Sequence, residues 1–166
     1  GLVYGADILG SSNKTQAEFF LWKPGKFTEE QYKKWFGRRK PCIKGSDSHN
    51  VNDELGKLKD AQSKPTDKYC WIKADPTFNG LRQIINEPED RVYIGRLPPK
   101  MEEVRNNTTR YLSIAKVRKS DDATIDDIWF DCELPLNFDM VAIIGNKGSG
   151  KSALADVLAL AGNTHC

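Results

Sequence analysis

The eight residues Gly145-Asn146-Lys147-Gly148-Ser149-Gly150-Lys151-Ser152 constrain this chain more than any other stretch, because they match GxxxxGK[ST] at every defined position. The continuous apolar run Met140 to Ile144 precedes them and reads as a strand covered on both faces. After them the segment from Gly150 or Lys151 reads as a helix, with Ala153, Leu154, Val157, Leu158 and Leu160 forming a mostly apolar surface and Asp156 its lone charge. Strand, glycine-rich loop and helix together make a loop that can wrap a polyphosphate with main-chain N–H groups. Glycines serve because a side chain at the closest approaches would block the phosphate. The helix start adds unpaired amides and the positive end of its dipole. Lys151 is then expected to reach the terminal phosphates, and the Ser152 hydroxyl to ligate a magnesium ion bridging them. The bland alternative is a glycine-rich turn that matches by accident, and the flanking elements argue against it.

Hydrolysis asks for more than this loop. A carboxylate on a later strand must hold the magnesium shell and orient water. Only fourteen residues follow Ser152. The apolar surface of the last helix belongs in a larger sandwich, so the sequence predicts a chain that stops in the middle of a core. Its start, GLVYGADILG, has neither a Met nor the basic-then-apolar layout of a signal peptide, which predicts a longer parent chain upstream.

Composition excludes several classes. With 39% hydrophobic and 29% charged residues the chain is not a disordered one. Its 25 basic and 23 acidic residues leave a formal charge of +2, so any nucleic-acid footprint must be local. No run approaches the roughly 18 apolar residues of a membrane span, and the expectation is a cytoplasmic protein without a membrane partner. Cys42, Cys70, Cys132 and Cys166 form no CxxC pair and have only two histidines beside them, which predicts free thiols rather than a disulfide framework or zinc knuckle.

The rest of the chain reads as α/β in two modules. Phe19 to Trp22 is a compact apolar strand candidate stopped by Pro24-Gly25. Thr28 opens a helix with Gln31 in the capping-box position, Tyr32, Trp35 and Phe36 share one face, and Gly37 ends it. A short strand, Cys42 to Gly45, leads into the polar loop GSDSHNVND, followed by a short helix from Asp53 to Leu58 and a turn-like stretch from Lys59 to Lys68. Tyr69 to Lys73 is a strand. Asp75-Pro76 caps a helix that buries Phe78, Leu81, Ile84 and Ile85 and stops near Glu87-Pro88. Arg91 to Ile94 is extended, and Leu97-Pro98-Pro99 marks a break, giving modules at 1–95 and 110–166 with a linker at 96–109. Beyond it Tyr111 to Val117 and Ile128 to Leu134 read as strands joined by a turn at Ser120-Asp121-Asp122.

Two further constellations carry chemistry. Asp47 and His49 are two apart in the polar loop, so an extended backbone would aim both at one metal position; carboxylate plus imidazole suits zinc, manganese or iron acting on phosphate esters. The alternative is a helix cap and a surface histidine, and spacing alone favours that alternative. YKKWFGRRK, Tyr32 to Lys40, packs five cations with three aromatics. It reads either as a phosphodiester track with stacking partners or as an amphipathic helix with a wet cationic face, and the shared aromatic stripe favours the helix.

The segment KGSDSHN resembles the late metal-binding motif of the PHP (polymerase and histidinol phosphatase) superfamily. The stretch CWIKADPTFNGLRQIINEPEDRVYIGRLPP, followed by LNFDMVAIIGNKGSGKSALADVLAL, is similar to the junction of TrlF-like proteins, in which a PHP phosphoesterase domain precedes an ATPase head of the ABC or structural-maintenance-of-chromosomes kind. The resemblance covers roughly Phe19 to Leu160. It implies the C-terminal part of a distorted PHP-type β/α barrel, followed by the first strands, P-loop and helix of an ATPase domain. It also implies ATP and Mg2+ at Gly145 to Ser152, and Zn2+ or Mn2+, or Fe, at Asp47 and His49. The implied activity is metal-dependent phosphodiester hydrolysis coupled to nucleotide state, in DNA repair or defence, with self-association through ATPase heads and nucleic acid among the partners. The departures are plain: no HxH motif stands here, the only other histidine is His165, and the ATPase signature loop and acidic strand are missing, so the fragment itself is expected to be inactive. A nucleotide-dependent binding or sensing protein on an inactive PHP-like scaffold is the rival reading. No catalytic residue is assigned, and the substrate, whether DNA, RNA or a small phosphate ester, is left open.

Overall fold

The computed structural model describes residues 1–23, 27–122, 124 and 131–162. The chain is a mixed α/β protein that divides into two compact units, Gly1–Met101 and Glu102–Cys166. In the first unit the order is α1 (Leu2–Gly5), β1 (Leu9–Gly10), α2 (Lys14–Phe20), α3 (Glu29–Phe36), β2 (Cys42–Ile43), β3 (Lys57–Lys59), β4 (Pro65–Ile72), α4 (Phe78–Gln83), α5 (Pro88–Arg91) and β5 (Val92–Gly95). A helix, α6 (Pro99–Asn106), spans the division and is followed by a short 3-10 turn at Thr108–Arg110. The second unit then holds β6 (Ile114–Val117), β7 (Cys132–Pro135) and α7 (Lys151–Ala161). Helix and 3-10 turn occupy most of the stretch expected to be a linker.

Two small sheets organise the first unit. β1 and β2 are parallel, with Leu9 opposite Cys42 and Gly10 opposite Ile43. The Leu9 amide donates to the Pro41 carbonyl and the Ser11 amide to the Ile43 carbonyl, each at 3.0 Å. The segments that follow the two strands, Ser11–Asn13 and Lys44–Asn50, therefore leave from the same end, where ligand sites gather in parallel α/β sheets. β3, β4 and β5 form an antiparallel sheet, with Tyr69 opposite Gly95 and Ile72 opposite Val92. Tyr32, Cys42, Leu58 and Ile84 are buried.

The helix α3 forms as its capping signals dictate. Thr28 accepts from the Gln31 amide while the Gln31 side chain accepts from the Thr28 amide, and Gly37 closes the helix at φ 77°. Phe19 to Trp22, expected as a strand, is instead the end of α2 and the turn after it, with Trp22 at φ 53°. The reason is upstream and across. Asn13 caps α2 by accepting from the Gln16 amide, and the helix lays Phe19 and Phe20 edge-on against Phe36 at 5.6 Å each. Such ring pairs contribute about 0.5–1.5 kcal/mol each beyond burial. The Tyr32 hydroxyl completes the contact by donating to the Phe20 carbonyl at 2.6 Å, while Trp35 stays 45% exposed.

Other expectations shift for local reasons. Asp53 to Leu58 is turn and strand rather than helix, and Pro65–Ile72 extends the expected strand back through the turn-like stretch because β3 pairs with it. Thr77, not Asp75, caps α4 by accepting from the Gly80 amide, and Phe78 faces solvent while Ile84 is fully enclosed. Met140 to Ile144 forms no strand among the described residues, and Met140 and Ile144 are 81% and 89% exposed. A strand exists through its hydrogen-bonded ladder, and no described segment offers one to this run. β6 and β7 pair antiparallel, with Val117 opposite Cys132. Pro24, Gly25, residues 128–130, His165 and Cys166 lie outside the described residues.

Burial pushes the Tyr32 hydroxyl up to about 12, with neighbouring Cys42 adding to the shift and Arg39 opposing it. A raised folded value means that its stabilisation is complete below the unfolded value of 10.0 and is lost as pH rises toward 12. The stability gap between wild type and Tyr32→Phe, measured by urea unfolding, should be constant below pH 10 and shrink above it. Ile84→Ala should lose about 2–5 kcal/mol in the same assay, as a buried large-to-small change does.

Candidate functional site

Two loops carry the residues singled out from sequence, one in each unit. In the second unit Gly148 and Gly150 adopt φ of 82° and 79°, the left-handed region where a Cβ costs about 1–2 kcal/mol. These turns fold the chain back on itself, with the Ser149 amide donating to the Asn146 carbonyl at 3.3 Å. α7 starts at once at Lys151, with Gly150 as its cap and no side chain covering its first amides. The first bond inside the helix runs from the Leu154 amide to the Gly150 carbonyl, so the amides of Lys151, Ser152 and Ala153 precede the helix's own ladder. They add the positive end of an eleven-residue helix dipole to the loop. The Lys151 ammonium folds over the loop and donates to the Asn146 carbonyl at 2.7 Å, and Ser152 is exposed beside it. Glycine conformation, helix start and lysine offer features that a phosphate group can use: main-chain donors at a helix start and a nearby cation.

The second loop leaves the end of β2 in the first unit. Asp47 has φ of 56°, so the extended backbone expected to align it with His49 is not what forms. Asp47 and His49 are both exposed, and the Asp47 carboxylate lies 3.8 Å from the Lys44 ammonium. Among the described residues no group of three His, Cys, Asp or Glu side chains is assembled to hold a metal ion. Asp47 and His49 can supply two ligands, which is fewer than the three protein ligands of a typical catalytic zinc centre, so by themselves they do not make up the expected centre.

Asp53, read from sequence only as the start of a short helix, organises this loop. Its Oδ2 accepts from the amides of His49 at 3.1 Å and Asn50 at 3.4 Å and pairs with Lys59 Nζ at 3.1 Å. Lys59 in turn donates to the Asp47 carbonyl at 3.2 Å. One carboxylate and one ammonium thereby fix both ends of the Asp47–His49 segment. The Lys59 bond first, and the His49 amide next, hold the Asp53 carboxyl below its usual range. The available signal was an Asp four residues after His49, the spacing at which a side-chain oxygen reaches back to turn amides.

The basic segment is mostly spent on the fold. Lys40 is 1% exposed, its ammonium donating to the carbonyls of Tyr4 and Ala6 at the end of α1. Arg38 pairs with Asp7, Arg39 with Glu89 while lying over the Trp22 ring, and Lys33 with Glu29 at 3.0 Å. Four of the five cations are so engaged, which favours the helix reading over a phosphodiester track.

No family model, curated protein or solved structure matches the chain. Among the described residues no helix is long and apolar enough to cross a membrane.

Because the Asp53 carboxyl is held low, its stabilisation of the loop is complete above the unfolded value of 3.8 and is lost as pH falls through its folded value. Protection of the His49 and Asn50 amides from hydrogen exchange should therefore persist at pH 4 to 5 and vanish in Asp53→Ala, while β4 and β5 amides stay unchanged. Equal protection in the variant would remove Asp53 from this role.

Proposed function

We propose that the second unit binds the polyphosphate of ATP with Mg2+ through Gly145 to Ser152, and that the parent protein is a PHP-type metal-dependent phosphoesterase or nuclease whose hydrolytic centre includes Asp47 and His49. The observation that carries the nucleotide part is the conjunction of left-handed Gly148 and Gly150 with a helix that begins at Lys151. In that arrangement the amides of Gly148 and of 150–153 would serve the phosphates, Lys151 would exchange its bond to the Asn146 carbonyl for one to a terminal phosphate oxygen, and Ser152 would offer its hydroxyl to the magnesium ion. The hydrolase part is supported by the position of the Asp47–His49 loop after a parallel strand and by the sequence resemblance. Coupling between the two parts, self-association through ATPase heads, a nucleic-acid substrate and a cytoplasmic location belong to the same proposal.

A rival reading is a nucleotide-dependent binding or sensing protein on an inactive scaffold. The Lys44 ammonium beside Asp47 favours it, since a cation already occupies the neighbourhood of the ligand carboxylate. Lys151→Ala should weaken MgATP binding by about ten- to hundredfold in calorimetric titration, the loss of one charge-assisted contact. Unchanged affinity would sink the nucleotide assignment. In the longer parent protein, Asp47→Asn and His49→Ala should abolish phosphodiester cleavage with manganese present while ATP binding persists; retained cleavage would sink the assignment of these two residues, and a wild type that cleaves no phosphodiester would leave the scaffold reading standing.

A further inference from the structure

A cavity of about 340 Å3 opens in the first unit, apart from both loops, between α2, β2, β4 and the α5–β5 segment. Ala17 and Leu21 of α2 and Val92 and Ile94 of β5 give it an apolar wall, and the buried Cys42 contributes at β2. Lys14, Glu18 and Lys68 line it with charge. Glu18 is already committed: its carboxylate is bonded to Lys23 Nζ at 2.8 Å, and the charge of Lys14 also acts on it. Lys14 and Lys68 form no ion pair among the described residues, and both are exposed. The lining thus carries one carboxylate, already paired with Lys23, and two ammonium groups, Lys14 and Lys68, whose excess charge borders an apolar space.

The volume lies at the small end of ligand pockets, which run from about 300 to 1,000 Å3. It suits one ring and one charged group. A phosphate monoester carries about −1.5 to −2 charge near neutral pH, which two lysines match better than a singly charged carboxylate would. We propose that this cavity binds a small phosphate monoester with an apolar body, its phosphate between Lys14 and Lys68 and its body against Ala17, Leu21 and Ile94. Tyr93 forms part of the lining, and its ring packs so closely over Gly95 that a Cβ there would lie 2.6 Å from it. The inference is independent of the nucleotide and hydrolase readings, because no residue of either loop lines the cavity.

The test is a titration of the isotope-labelled full chain with phenyl phosphate, followed by amide chemical shifts, with phenol and inorganic phosphate as comparison probes. Saturable shifts are expected at Lys14–Glu18, Cys42, Lys68 and Ile94. Lys14→Gln combined with Lys68→Gln should weaken the response about tenfold or more, as loss of charge-assisted contacts does, with the Tyr32, Leu58 and Ile84 amides reporting an intact fold. Ala17→Trp, which fills the space and keeps the charges, should abolish it. Shifts confined to residues 145–152, binding untouched by either variant, or phenol binding as tightly as phenyl phosphate would each overturn the proposal.

Discussion

A loop can surround a polyphosphate with main-chain N–H groups only if its residues turn through conformations closed to side chains. Gly148 and Gly150 meet that constraint, and the functional account of the second unit depends on it. Gly148 and Gly150 take left-handed turns, and Gly150, having no side chain, lets α7 begin with its first amides uncovered. Among the described residues Lys151 bonds the Asn146 carbonyl, a bond that a phosphate oxygen can replace at little cost.

The first unit rests on a different device. Parallel pairing of β1 with β2 brings two connecting segments to one end, and the Asp53–Lys59 pair holds the second of them in shape. The loop is therefore ordered by residues other than the two proposed to carry chemistry. Asp47 and His49 are displayed on a frame, and their usefulness depends on ligands from elsewhere. The buried Lys40 plays a comparable structural part at the end of α1, where its charge answers carbonyls rather than a carboxylate.

How much of this was legible in the sequence follows from the range of each interaction. The Thr28–Gln31 capping box and the Gly37 stop are local, and they were read correctly. Phe19 to Trp22 was misread because two adjacent aromatics fit a strand or a helix equally well; the deciding facts are the Asn13 cap and the contact with Phe36 seventeen residues on from Phe19. Met140 to Ile144 has the composition of a buried strand, yet composition does not supply the neighbours that make one. The role of Asp53 escaped notice because it lies in amides and a lysine six residues away, not in a motif. At Gly145 to Ser152 the helix start at Lys151 was legible, since glycine placement is itself a conformational signal, while the strand expected before it is not formed among the described residues.

The most direct test follows the amide shifts of Gly148, Ser149, Gly150 and Lys151 in the isotope-labelled chain as ATP is added with magnesium. The account predicts large, saturable shifts at these four amides with ATP and negligible ones with adenosine, because the contacts are made to phosphate. Amides that stay in place with ATP, or respond equally to adenosine, would contradict it.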